Sequence, residues 1–118
     1  MLAELSGSLK IYLACGHTDM RKSIDGLSAI VANQFNLDPF DKSLFIFCGT
    51  KRDRLKALLW EGDGFLLLYK RLEGGKFNWP KDDTQVMKLT PQQYRWLMEG
   101  LSIHQKKTIE KVENKTII

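Results

Sequence analysis

The sequence predicts an α+β domain: a mainly antiparallel β-sheet, with a long helix after the first strand and a second helix after the last. Three observations carry this. Several short runs alternate apolar and polar residues at period two, the pattern of half-buried strands. Between residues 20 and 35 the apolar residues recur instead at steps of three and four, the pattern of an amphipathic helix. Glycine-containing turns then separate segments that read as hairpin arms.

Leu9, Ile11 and Leu13 alternate with Lys10 and Tyr12, giving the first strand, which Gly16 ends. Thr18 or Asp19 is suited to cap a helix, since either side-chain oxygen accepts from an unpaired N–H of the first turn. Met20, Ile24, Leu27, Ile30, Val31 and Phe35 form one apolar stripe, so a helix is expected over 19–35, ending near Asn36 before Asp38-Pro39. The uninterrupted run Leu44–Cys48 reads as a central strand buried on both faces. Residues 54–60 and 65–72 read as a hairpin around Glu61-Gly62-Asp63-Gly64. Gly74-Gly75 suggests a second turn returning Phe77 and Trp79, which would complete a three-stranded meander. After the polar Lys81-Asp82-Asp83 connection, Val86 and Leu89 suggest another short strand. Thr90-Pro91 then starts a helix that Gly100 ends. One domain over 1–103 is expected, followed by a flexible basic tail over 104–118.

The chain has 118 residues, of which 43% are hydrophobic and 27% charged, the balance of one globular domain. No run approaches the ~18 apolar residues of a membrane span. The opening MLAELSGSLK is too short and polar for a secretory signal, so a cytoplasmic protein is expected. Cys15 and Cys48 show no paired spacing, which points to reduced thiols. The net charge of +4 is unevenly spread: residues 1–50 carry −1, residues 51–80 carry +3 and residues 81–118 carry +2.

If residues 62–63 form the hairpin tip, Arg54 faces Arg71, Lys56 faces Tyr69, Leu58 faces Leu67 and Trp60 faces Phe65, all on one sheet face. The two opposed arginines repel, and an anion between them would relieve that repulsion. The candidate functional patch is therefore Arg54, Lys56, Tyr69, Lys70 and Arg71, with Lys51 and Arg52 in the preceding turn. Guanidinium groups match phosphate bidentately and a phenol ring offers a stacking surface for a base. The alternative is a solvated strand face whose long stems cover an apolar edge.

Candidate catalytic and metal-binding residues are few. Asp19 and Asp25 read as a cap and a surface charge, and Asp82-Asp83 as a loop. Cys15, His17, Cys48 and His104 have no recognised zinc spacing, so neither a metal nor another cofactor is expected. No nucleophile–base pair is apparent, which argues against an enzyme.

The segments GHTDMRKSIDGLSAIV, LFIFCGTKRDRLKALLWEGDGFLLLYKRLEGGKFNWP and LTPQQYRWLMEGLSI occur in that order. Together they resemble the TnpB accessory proteins of the insertion sequence 66 family, over about residues 9–103. The resemblance implies a cytoplasmic helper of transposition encoded beside a separate transposase, which carries the cleavage and joining chemistry. Many relatives have Gly-Phe where this chain has Ser23-Ile24, a change that packing of the helix stripe tolerates. Among the family's motif positions, the polar ones that turns and core do not explain are Arg21, Lys22, Arg54, Lys56, Lys70 and Arg71. The resulting expectation is a non-enzymatic accessory protein contacting DNA (the element ends), or a transposase–DNA complex, through the basic strand face, with Arg21 and Lys22 extending it. The rivals are a protein–protein adaptor for the transposase and an RNA-binding regulator. No membrane partner is expected, and the sequence leaves the oligomeric state open.

Overall fold

Strand β1 (Lys10–Ala14) follows the first alternating run and leads, through a loop, into helix α1 (Ile24–Ala29), which continues as a π-helical turn over Ile30–Gln34. Strands β2 (Ser43–Cys48), β3 (Arg54–Trp60), β4 (Phe65–Arg71) and β5 (Val86–Leu89) follow, and helix α2 (Pro91–Met98) comes after the last strand. The computed structural model describes residues 9–81 and 85–105. Residues 106–118 of the expected tail and the Asp82-Asp83 connection lie outside the described residues.

The five strands form one sheet in the order β4-β3-β2-β1-β5. β1 runs parallel to β2, whereas the β1–β5, β2–β3 and β3–β4 pairs are antiparallel. The sheet is thus mixed, although antiparallel pairings predominate as the sequence predicts. The β2 run is buried along its whole length, because the sheet is covered on both faces.

Alternation sorts the strand side chains between two cores. On one face Phe45, Phe47 and Leu58 pack with Leu27 and Val31 of the helical segment. On the other, Ile11, Leu13, Leu44, Ile46 and Leu55 pack with Tyr94 and Leu97 of α2. Each fully buried side chain of this size contributes about 1.5–3 kcal/mol. The capping box at Thr90 starts α2: its hydroxyl accepts from Gln93 N at 3.1 Å, while the Gln93 side chain accepts from Thr90 N at 2.9 Å. Gly100, at φ 83°, ends this segment as the sequence predicts.

Two expectations require correction. The first helix begins at Ile24 rather than Asp19. The Asp19 carboxylate accepts instead from the Arg21 backbone N–H at 2.9 Å, a local turn that competes with helix. The Lys22 carbonyl is likewise taken, by the Lys56 ammonium at 2.7 Å. The far end is as expected: Asn36 adopts φ 53° and stops the helical segment.

The second correction concerns the meander. Residues 77–79 do not add a strand beside β4; they cross over a sheet face, where Phe77 and Trp79 join the α2-side core. Phe77 N donates to Arg52 O at 2.7 Å, and the Trp79 indole N–H donates to Ala14 O at 2.7 Å. An extended segment that buries every second residue has the same pattern whether it pairs with a strand or lies across a sheet.

The 15–23 loop is held against the end of β2. Thr18 N donates to Cys48 O at 2.8 Å, and Met20 lies so close to Gly49 that a Cβ there would meet Met20 Cγ at 2.7 Å. Gly49→Ala is therefore expected to destabilise the protein by about 1–3 kcal/mol, the usual cost of overpacking, as measured by urea unfolding. Adding Met20→Ala should recover part of that loss, since the pair is in contact.

Candidate functional site

The β3–β4 register is the one the sequence predicts: Arg54 pairs with Arg71, Lys56 with Tyr69, Leu58 with Leu67 and Trp60 with Phe65. The apolar half of this face sits under α1, while the basic half emerges beyond it. There the 19–21 turn forms the opposite wall of a groove of about 520 Å³, lined by Asp19, Met20, Arg21, Arg54, Lys56, Leu67 and Tyr69.

Each wall has a definite cause. The turn stands upright because Asp19 clamps Arg21, with the guanidinium donating to both carboxylate oxygens at 2.8–3.2 Å. The Lys56 ammonium is oriented by the Lys22 carbonyl and lies 5.9 Å from the centroid of the Tyr69 ring. A carbonyl positions this cation without cancelling its charge. Tyr69 is 53% exposed, an unusual state for a large aromatic ring.

Not every predicted site residue reaches this groove. Arg21, Arg54, Lys56 and Tyr69 line it together. Lys70 pairs with Leu55, so alternation carries it to the opposite face, and its inclusion in the patch is corrected. Arg71 lies on the predicted face, but its guanidinium donates to Glu73 at 2.8 Å. Arg54 in turn has Asp53 at 3.9 Å. The repulsion between the two opposed arginines is thus eased by the chain's own acids, and an external anion is not required for it. The Lys22 side chain packs over Gly26 instead of facing the groove. Arg52 lines a separate cavity at the end of β2, and Lys51 is exposed in the same turn.

Sequence reasoning missed Asp19 and Met20 as groove walls, assigning one to a helix cap and the other to the helix stripe. The signal available was the Asp19–Arg21 spacing, which suits an Asx turn closed by an ion pair. The hydrogen bonds from Arg21 hold the Asp19 carboxyl down at about 2. Cys48 is buried and its thiol is pushed up to about 12, which removes it from nucleophilic chemistry near neutrality. Cys15 and Cys48 form no disulfide. Among the described residues no cluster of three or more His, Cys, Asp or Glu side chains is arranged to hold a metal ion. No helix of the described residues is long and apolar enough to cross a membrane.

The fold and groove define a small mixed-sheet α+β domain that carries a groove lined by three cations and an exposed aromatic ring. The chain belongs to the family described as IS66 Orf2 like protein, which matches residues 9–108. It is 34% identical over 94 residues to the uncharacterized protein y4hO of Sinorhizobium fredii, covering 80% of this chain and 82% of that protein. It is 33% identical over 96 residues to the uncharacterized protein y4jC of the same organism, covering 81% and 82% respectively. No solved structure matches the chain. The family points to an accessory role in transposition, and it is not a known enzyme family.

The clamp makes a pH prediction. Because the Asp19 pKa is depressed in the folded state, its stabilising contribution is complete above about 4 and is lost as pH falls through about 2. A carboxyl titration followed by NMR should place its midpoint near 2, and Arg21→Ala should return it towards 3.8.

Proposed function

We propose that this protein is a non-enzymatic accessory factor in transposition of an insertion sequence, binding DNA at the element ends, alone or with the transposase, through the Arg54–Lys56–Tyr69 groove. The observation that carries this reading is the exposed Tyr69 ring with the Lys56 ammonium 5.9 Å from its centroid, in a groove holding three cations against one carboxylate.

The chemistry follows from the three side chains. Arg54 is weakly engaged by Asp53 at 3.9 Å, a partly exposed pair of the kind worth about 0–1 kcal/mol, so a phosphate readily replaces it. The tethered Lys56 ammonium adds a second positive charge at a fixed position. Tyr69 offers a stacking face that an unpaired base at an opened or frayed end can reach. Such contacts set affinity and orientation more than sequence choice.

A salt-titrated binding assay on element-end duplex, unrelated duplex and single strands tests this. Two neutralised phosphates, one each at Arg54 and Lys56, give a log–log salt slope of roughly −1.8 on duplex. Tyr69→Ala should weaken single-strand binding roughly 5- to 100-fold, the loss of one base–aromatic stack. Absence of binding at low salt, or affinity indifferent to Arg54→Glu with Lys56→Glu, would overturn the reading.

One observation favours a second reading, an adaptor that grips the transposase without touching nucleic acid. At the far end of the same strand pair, Phe40 is 57% exposed and packs on Trp60 at 5.0 Å and Phe65 at 5.3 Å. Exposed aromatic clusters of this kind anchor protein interfaces. Capture of purified transposase after nuclease treatment, abolished by Phe40→Ala and untouched by Arg54→Glu, would make the adaptor the better account.

A further inference from the structure

A second cavity, of about 300 Å³, opens at the C-terminal ends of the parallel strands β1 and β2 and shares no residue with the groove. Parallel neighbours release their loops at the same sheet edge, and ligands of α/β sheets bind in the crevice so formed. Here His17 comes from the loop after β1, Thr50 and Arg52 from the turn after β2, and Pro80 and Lys81 from the crossing segment.

The walls are braced before any ligand arrives. Gly16 N donates to Pro80 O at 2.8 Å, and the Trp79 indole ties the crossing segment to the end of β1. Within the turn, Arg52 N donates to Gly49 O at 3.0 Å. Arg52 itself adopts φ 60°, a left-handed conformation that glycine takes at no steric cost and arginine does not. The turn geometry gives no reason for a long cationic side chain at that position. Among the described residues neither Arg52 nor Lys81 forms an ion pair, and no described lining residue is acidic.

We infer that this cavity is a nucleotide site, with Arg52 and Lys81 holding the phosphate and the Pro80 wall facing the sugar and base. The phosphate follows from two cations that form no ion pair among the described residues and stand on a braced frame. The nucleotide follows from size: the space is more than a lone phosphate fills and falls at the lower end of the ~300–1,000 Å³ range of small-molecule sites.

Calorimetric titration of the full chain with deoxyadenosine 5′-monophosphate, deoxyadenosine and inorganic phosphate tests the assignment. Saturable binding of the monophosphate is expected, with the other two probes at least roughly tenfold weaker, the scale of losing a charge-assisted contact or a packed ring. Arg52→Gly should melt at the same or a higher temperature, since it relieves the backbone, yet bind at least roughly tenfold more weakly. Lys81→Ala, at an exposed position, provides a second test should the glycine variant fold poorly. Lys88→Ala, an exposed cation of β5 outside both cavities, should leave this titration unchanged. Lack of saturable binding at low salt, equal binding of nucleoside or inorganic phosphate, or indifference to both Arg52→Gly and Lys81→Ala would overturn it.

Discussion

The parallel alignment of β1 with β2 is the constraint on which the other arrangements depend. Two adjacent strands running the same way need a connection that travels back along the sheet. Here it does so as the 15–23 loop, α1 and the π-helical turn. The loop therefore passes over the ends of both strands, where Thr18 bonds to Cys48 O and Met20 seats beside Gly49. Its Asp19–Arg21 turn is delivered to the β3–β4 face, and its first residues edge the second cavity. Both surface features are by-products of one strand direction.

The groove shows how a chain keeps several cations on one face without losing stability. Arg21 and Arg71 each fold onto a carboxylate two residues away, and Arg54 leans towards its own neighbour. These are short-range pairs, exposed for Arg21 and Arg71 and only partly so for Arg54, each worth little, so their net effect is to hold the side chains in defined places. Lys56 is handled differently, with a carbonyl from another segment setting its direction across the sheet. The side chains of this surface are thus oriented in advance at low energetic cost.

Much of this architecture is legible in residue order. The register of β3 and β4 follows from alternation plus a four-residue turn, which is why Arg54, Lys56 and Tyr69 fall where the sequence predicts. The start and stop of α2 are chemical signatures at Thr90, Pro91 and Gly100. Strand direction leaves no such mark: the Leu44–Cys48 run reads identically whether its neighbour is parallel or not. Charge groups Lys70 with its sequence neighbours, although period two sends it to the other face. The helix start was hidden because Asp19 is equally suited to cap a helix or close a turn, and only the Arg21 guanidinium decides. Phe77 and Trp79 read as a strand in sequence because burial at every second residue does not distinguish pairing from covering.

The position of β1 in the sheet bears on how the chain is made. Emerging from a ribosome, the hairpin of β3 and β4 has only local partners to find, and β2 joins it directly. β1, made before the other four strands, gains β2 on one side but lies bare on the other until Leu89 arrives to meet Ile11. The face carrying Ile11 and Leu13 also stays wet until Tyr94 and Leu97 close over it. The first strand of the sheet is thus sealed by its last strand and by α2. A nascent chain halted before α2 would present an unsheltered apolar ledge to chaperones and to its siblings.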